Sequence, residues 1–140
     1  MDKIQRIAEL NAQRPGFLNL LGGEIIDLDL AAGSCTFRII VPLTYCHTVD
    51  VVQGGFVAAM LDAAISHAVF AQTPDIVNVS TLELSTRYFG ATRGNIPLTV
   101  VGRVDKATFK TAFLSGEIRD PQGEVTATVT AVAKLVRKRP

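Results

Sequence analysis

The period of apolar and polar positions changes along the chain. Ile4, Ile7, Ala8 and Leu10 recur near helical spacing within residues 2–13, and Arg14-Pro15-Gly16 closes the pattern. A short amphipathic N-terminal helix within residues 1–16 is predicted. Phe17 to Gly23 reads as a loop that carries apolar side chains. Ile26, Leu28 and Leu30 then alternate with Asp27 and Asp29, the period of a half-buried strand. Ala32-Gly33-Ser34 is a turn, Cys35 to Val41 is the returning strand, and Pro42 to Val52 follows no regular period.

Residues 53–72 read as a second helix that is apolar almost all round, so burial is predicted for it. Thr73-Pro74-Asp75 stops it, and strand signal fills the rest. Leu82, Leu84, Thr86 and Tyr88 alternate with Thr81, Glu83, Ser85 and Arg87. Leu98–Lys106 and Phe109–Arg119 are the next strands, and Asp120-Pro121-Gln122-Gly123 is a turn. The last strand alternates Val125, Ala127, Val129, Ala131 and Ala133 with threonines, before a basic tail. The expected class is α+β, an antiparallel sheet around one buried helix, in a single domain over residues 1–140. Such a sheet leaves edges and an outer face open, and a second copy covers them economically. At least a homodimer is expected, with a dimer of dimers as its extension.

Composition narrows the function. The 14 Lys and Arg nearly balance the 13 Asp and Glu, and there is no Trp. Neither a field for nucleic acid or an anionic membrane nor a base-stacking platform is apparent. Cys35 and Cys46 form no C-x-x-C pair, and no Cys/His set has zinc spacing, so neither a metal nor a redox cofactor is expected. The N-terminus lacks the continuous apolar core of a signal peptide, and Asp62, Ser66 and His67 interrupt the longest apolar stretch. A soluble, cytoplasmic protein is expected.

Asp62 is the misplaced residue: a carboxylate within FVAAMLDAAISHAVF. Burial without a partner costs several kcal/mol (of order 2–7 for a polar group). It is therefore either a hydrogen-bonded structural acid or a base or nucleophile at a cleft. Ser66 follows one turn later on the same face, as a water holder or as a hydroxyl bonded back to the helix. His67 reads as a satisfied interior residue. Gly54-Gly55 opens the helix, where free N–H groups can meet a ligand oxygen at close range. Gly54 and Asp62 lie eight residues apart, about 12 Å along a helix axis. One carbonyl cannot touch both on one helix. Two antiparallel helices in a dimer would bring Gly54 of one chain to Asp62 of the other.

HTVDVVQGGFVAAMLDAA resembles the signature of the hot-dog thioesterases of the phenylacetate-degradation (PaaI-like) type, Asn-x-x-Gly-x-x-His-Gly-Gly with an acid nine residues after the His. TLELSTRYFGAT and the final two strands with their D-x-x-G turn resemble the family's later strands, so the likeness runs from about Gly23 onward. It implies the hot-dog fold and hydrolysis of an acyl- or aryl-CoA thioester to free acid and CoA. Asp62 falls on the catalytic acid and Gly54 on the amide that polarises the carbonyl. Thr81 falls on the strand hydroxyl near that acid, and Ser66 on a water-positioning hydroxyl of some members. Gln53 stands where the family has His, His47 where it has Asn or Gln, and Asp50 where it has Gly. Gln53 and His47 keep polar contact with the thioester available. Arg87, Arg93, Arg103, Lys106 and Lys110 are candidate phosphate contacts for CoA. The rival readings are a non-catalytic acyl-CoA-binding protein on the same fold, and a hot-dog hydratase, whose D-x-N-x-x-H pattern is absent.

Overall fold

The computed structural model describes residues 2–140; Met1, the first residue of the expected domain and N-terminal helix, lies outside the described residues. Helix α1 covers Lys3–Ala12 and opens on a capping box, in which the Asp2 carboxylate accepts from the Gln5 amide and the Gln5 side chain accepts from the Asp2 N–H. The segment expected as a loop contains a one-turn helix, α2 (Gly16–Leu20), because Leu18 is fully buried and pulls the turn against the core. The α1 face differs from the expectation too: Leu10 is buried and Ile7 packs on the core, while Ile4 is 79% exposed.

Strands β1 (Gly23–Asp29) and β2 (Ser34–Ile40) form the first hairpin. A bulge between Ile25 and Asp27 shifts the phase of β1, so Ile25 and Leu28 are buried while Ile26 and Leu30 are exposed. The expected alternation through Ile26, Leu28 and Leu30 therefore places one residue of three in the core. A 3-10 turn (Leu43–Tyr45) leads into a small hairpin of β3 (Cys46–His47) and β4 (Val51–Val52), and helix α3 (Gly54–Gln72) follows. The remaining strands are β5 (Ile76–Tyr88), β6 (Pro97–Ala107), β7 (Thr111–Arg119) and β8 (Val125–Arg137).

Six strands form one antiparallel sheet in the order β1-β2-β6-β7-β8-β5. α3 packs against β2, β5, β6, β7 and β8. The approach is close at Gly102 of β6, where a Cβ would lie 2.2 Å from the Ala64 carbonyl oxygen. α3 has the length and composition of a membrane-crossing helix, yet ten of its 19 residues are buried against the sheet. Its other face is not covered: Gly55 is exposed, and Ala58, Ala59, Asp62 and Ser66 are only partly buried. The helix is thus apolar all round but buried on one side of the single chain.

The two sheet edges differ. Edge β1 is capped by α1: the Asn11 amide donates to the Ile25 carbonyl at 2.9 Å and its oxygen accepts from the Ile25 N–H at 2.8 Å. Asn11 imitates a neighbouring strand where the bulge interrupts the ladder. Edge β5 is 13 residues long and its outer side has no strand partner among the described residues, with Val77 and Leu82 exposed along it.

Candidate active site

Asp62 projects from the middle of α3 towards β5, where the Thr81 hydroxyl donates to its Oδ1 at 2.7 Å. The carboxylate is half-buried, so the burial predicted for the apolar helix does not enclose it. The uncovered stripe of α3 leaves one flank open, and the strand supplies a polar partner on the other. A bulge in β5 makes this contact possible. The register against β8 shifts between Thr81 and Glu83, and Leu82 is 66% exposed. Thr81 and Leu84, an odd number of residues apart, can then both face the helix. Leu84 packs on the core while Thr81 reaches Asp62.

Asp62 and Ser66 line a cleft of about 690 Å³ between α1, α3 and the start of β5, together with Phe17, His67, Phe70 and Val79. His67 is the satisfied interior residue expected. Its Nδ1–H donates to the Ala63 carbonyl at 2.7 Å, and Phe37 and Phe70 meet its ring edge to face. Burial pushes the His67 pKa down, partly offset by that hydrogen bond, so the imidazole is neutral near pH 7. Cys35 is buried under β1–β2, and desolvation pushes its thiol pKa up to about 12, which removes it as a nucleophile.

The start of α3 is the second cluster. Gln53 is the exposed N-cap and gives no side-chain cap. The Phe56 and Val57 amides bond to the Gln53 carbonyl at 2.9 and 3.1 Å, leaving the Gly54 and Gly55 amides without a backbone acceptor among the described residues. The Tyr88 hydroxyl donates to the Gly54 carbonyl at 2.6 Å and fixes the peptide that follows the Gly54 N–H. The sequence reading placed Tyr88 in its strand but gave it no part in the site; its signal is an aromatic at the end of an alternating strand that turns toward the helix. His47 is exposed on β3, with Nδ1 3.0 Å from the Thr48 hydroxyl. Beyond it the hairpin tip holds Thr48 at φ 46° and Val49 at φ 73°, a left-handed conformation that a β-branched residue adopts only under strain. Asp50 anchors this hairpin through Arg93 at 2.8 Å.

Within one chain, the structure therefore brings Asp62, Thr81 and Ser66 together at mid-helix, and places Gly54 at the helix start with Gln53 and the His47 hairpin leading into it. The eight-residue separation along α3 stands between the two groups. The candidate phosphate contacts also divide. Arg93 and Arg103 are held by Asp50 and Glu117, while Arg87 lies 5.7 Å from the Phe89 ring at the end of the sheet nearest Gly54. The β6–β7 register puts Lys106 and Lys110 at the opposite end.

The Thioesterase superfamily profile matches residues 50–127, which span the hairpin end, all of α3 and the strand that carries Thr81 and Tyr88. The chain belongs to the thioesterase superfamily. Its α+β architecture, six antiparallel strands around one helix, is the hot-dog fold. No curated protein sequence matches it. Among solved structures, a phenylacetic acid degradation-related protein from Ralstonia eutropha is 28% identical, with 95% of this chain and 99% of that one aligned at a TM-score of 0.83. The PaaI protein of the Escherichia coli phenylacetic acid degradation operon is 17% identical, covering 94% and 92%, at 0.81. A hypothetical thioesterase from Streptococcus pneumoniae, solved with coenzyme A, is 18% identical, covering 84% and 88%, at 0.74. For this thioesterase-superfamily chain, the last two likenesses speak to the fold.

Proposed function

We propose that the protein is an acyl-CoA thioesterase whose active site is shared across a homodimer. The observation that carries this reading is the Asp62–Thr81 pair at 2.7 Å, set at the mouth of a cleft on the uncovered face of α3. A purely structural acid would be enclosed; this one is held by a strand hydroxyl and open to a ligand.

Dimer formation follows from what the single chain leaves open. Pairing of two β5 edges would complete the ladder that β5 leaves open among the described residues. It would also set two α3 helices side by side, with Gly55 and Ala58 at the crossing, where small side chains permit close approach. A two-fold axis there brings Gly54 of one chain opposite Asp62 of the other. The thioester carbonyl then accepts from the Gly54 N–H, reinforced by the positive end of the helix dipole and by Gln53 or His47. Asp62 of the facing chain takes a proton from the attacking water or adds to the carbonyl itself, with Ser66 and Thr81 orienting the group. The tetrahedral intermediate collapses, the C–S bond breaks, and CoA leaves as its thiol with a proton from water or from the protonated Asp62; where Asp62 itself has added, water then hydrolyses the acyl–Asp62 anhydride to the free acid and restores the carboxylate. No metal or redox group enters these steps. The coenzyme A bound to the Streptococcus pneumoniae relative supports CoA as carrier.

Release of free thiol from a panel of acyl- and aryl-CoA thioesters tests the proposal. Wild type should turn over at least one of them, and Asp62→Ala should lower kcat by about 100-fold or more. Equal rates would overturn the mechanism. Tight acyl-CoA binding by a wild type without turnover would favour the non-catalytic binding module.

A further inference from the structure

Two cavities lie beside α3, one bounded by α1 and the start of β5 and one by α2, and one side chain lines both. Phe17 lines the cleft that holds Asp62 and also a second cavity of about 230 Å³, whose other walls are Leu20, Leu21, Tyr45, Phe56 and Ala59. No charged side chain lines this second cavity, whereas Arg6, Glu9 and Lys138 rim the first. Tyr45 closes its end with its ring edge-on to Phe56, centroids 4.9 Å apart. Ala59 precedes Asp62 by three residues, about 4.5 Å along the helix axis. Leu18 pins α2 by full burial, while Phe17 on the same turn is 44% exposed.

Building on the thioesterase reading, we propose that the second cavity receives the tail of an unbranched aliphatic acyl group whose carbonyl lies at Asp62, and that Phe17 is the partition that sets how long a tail fits. The chemistry of the two walls decides the direction. A methylene moved from water into the apolar compartment gains about fourfold in affinity. The larger cleft also carries apolar wall, in Leu10, Phe70 and Val79, but Arg6, Glu9 and Lys138 interrupt it, whereas the second compartment is apolar throughout. A tail that leaves Asp62 towards the start of α3 passes Ala59 beneath the Phe17 ring and ends against Tyr45 and Phe56.

The test is the chain-length profile of kcat/KM for butanoyl-, octanoyl- and dodecanoyl-CoA, beside phenylacetyl-CoA, in wild type, Phe17→Ala and Leu20→Trp. Wild type should rise steeply from butanoyl to octanoyl, by about fourfold per added methylene at most. Phe17→Ala should raise dodecanoyl by about tenfold, and Leu20→Trp, which fills the compartment, should lower octanoyl by about tenfold; each step amounts to about two buried methylenes. Far-UV circular dichroism and a thermal midpoint close to wild type should show that both variants fold. The same profile in all three proteins, or a wild type that prefers phenylacetyl-CoA and ignores chain length, overturns the inference while leaving the thioesterase reading intact. A wild type that releases thiol from none of the four overturns both.

Discussion

At the scale of single residues, the account turns on how Asp62 is held. Its Oδ1 accepts from Thr81, and a hydrogen bond to a charged group contributes about 1.5–3 kcal/mol. Thr81→Val should therefore lower kcat by about tenfold or more, with Thr81→Ser close to wild type. Steady-state kinetics on the best substrate checks this, and a Val variant with unchanged kcat would remove Thr81 from the site. His67 gives a second prediction. Its folded pKa is depressed, so below the unfolded value, about 6.5, the unfolded chain binds a proton that the folded chain refuses. Stability is full above about pH 6.5 and falls as the pH drops below it. Denaturant melts at pH 7.5 and 5.5 should show this loss in wild type, and His67→Phe should reduce it. Asp62 and Gly54 stood out in the sequence as candidates because an acid in an apolar helix and a Gly-Gly helix start are both local signals. The surroundings of Asp62 were not, since periodicity says which residues are apolar and not which face the fold leaves uncovered.

At the scale of elements, the helices and strands followed from period and punctuation, and the misreadings fall where the backbone departs from regularity. The bulge in β1 exchanges Ile26 for Ile25 in the core, and the bulge in β5 turns Thr81 toward α3. An extra residue changes the phase of a strand without changing its composition, so alternation alone does not reveal it. α2 hid for a similar reason: one turn is too short to show a helical period. α1 serves as a cover for an edge. Asn11→Ala deletes two hydrogen bonds to Ile25 and should destabilise the fold by about 1–3 kcal/mol. A lowered denaturant midpoint at constant m-value would report it. An unchanged midpoint would mean that α1 does not protect that edge.

At the scale of the whole molecule, the blocked β1 edge and the open β5 edge predict a homodimer in solution, and sedimentation equilibrium should find no stable monomer at micromolar concentration. The shared site makes a sharper demand. Gly54 is the first residue of α3 and follows Gln53 at φ −55°, ψ 136°, a backbone that proline accepts, and a Cβ there meets nothing closer than 3.5 Å. Gly54→Pro should thus keep the helix and delete the one N–H assigned to the carbonyl. Neither Gly54→Pro nor Asp62→Ala should hydrolyse acyl-CoA on its own beyond a residual rate. Each chain of the pair retains what the other lacks. Co-folding the two variants in equal amounts is the most direct test of the central claim, that Asp62 of one chain and Gly54 of its partner act on one thioester. Random pairing rebuilds one intact site in half of the dimers, so thiol release should recover to about a quarter of the wild-type rate. A mixture no more active than its two components would contradict the claim.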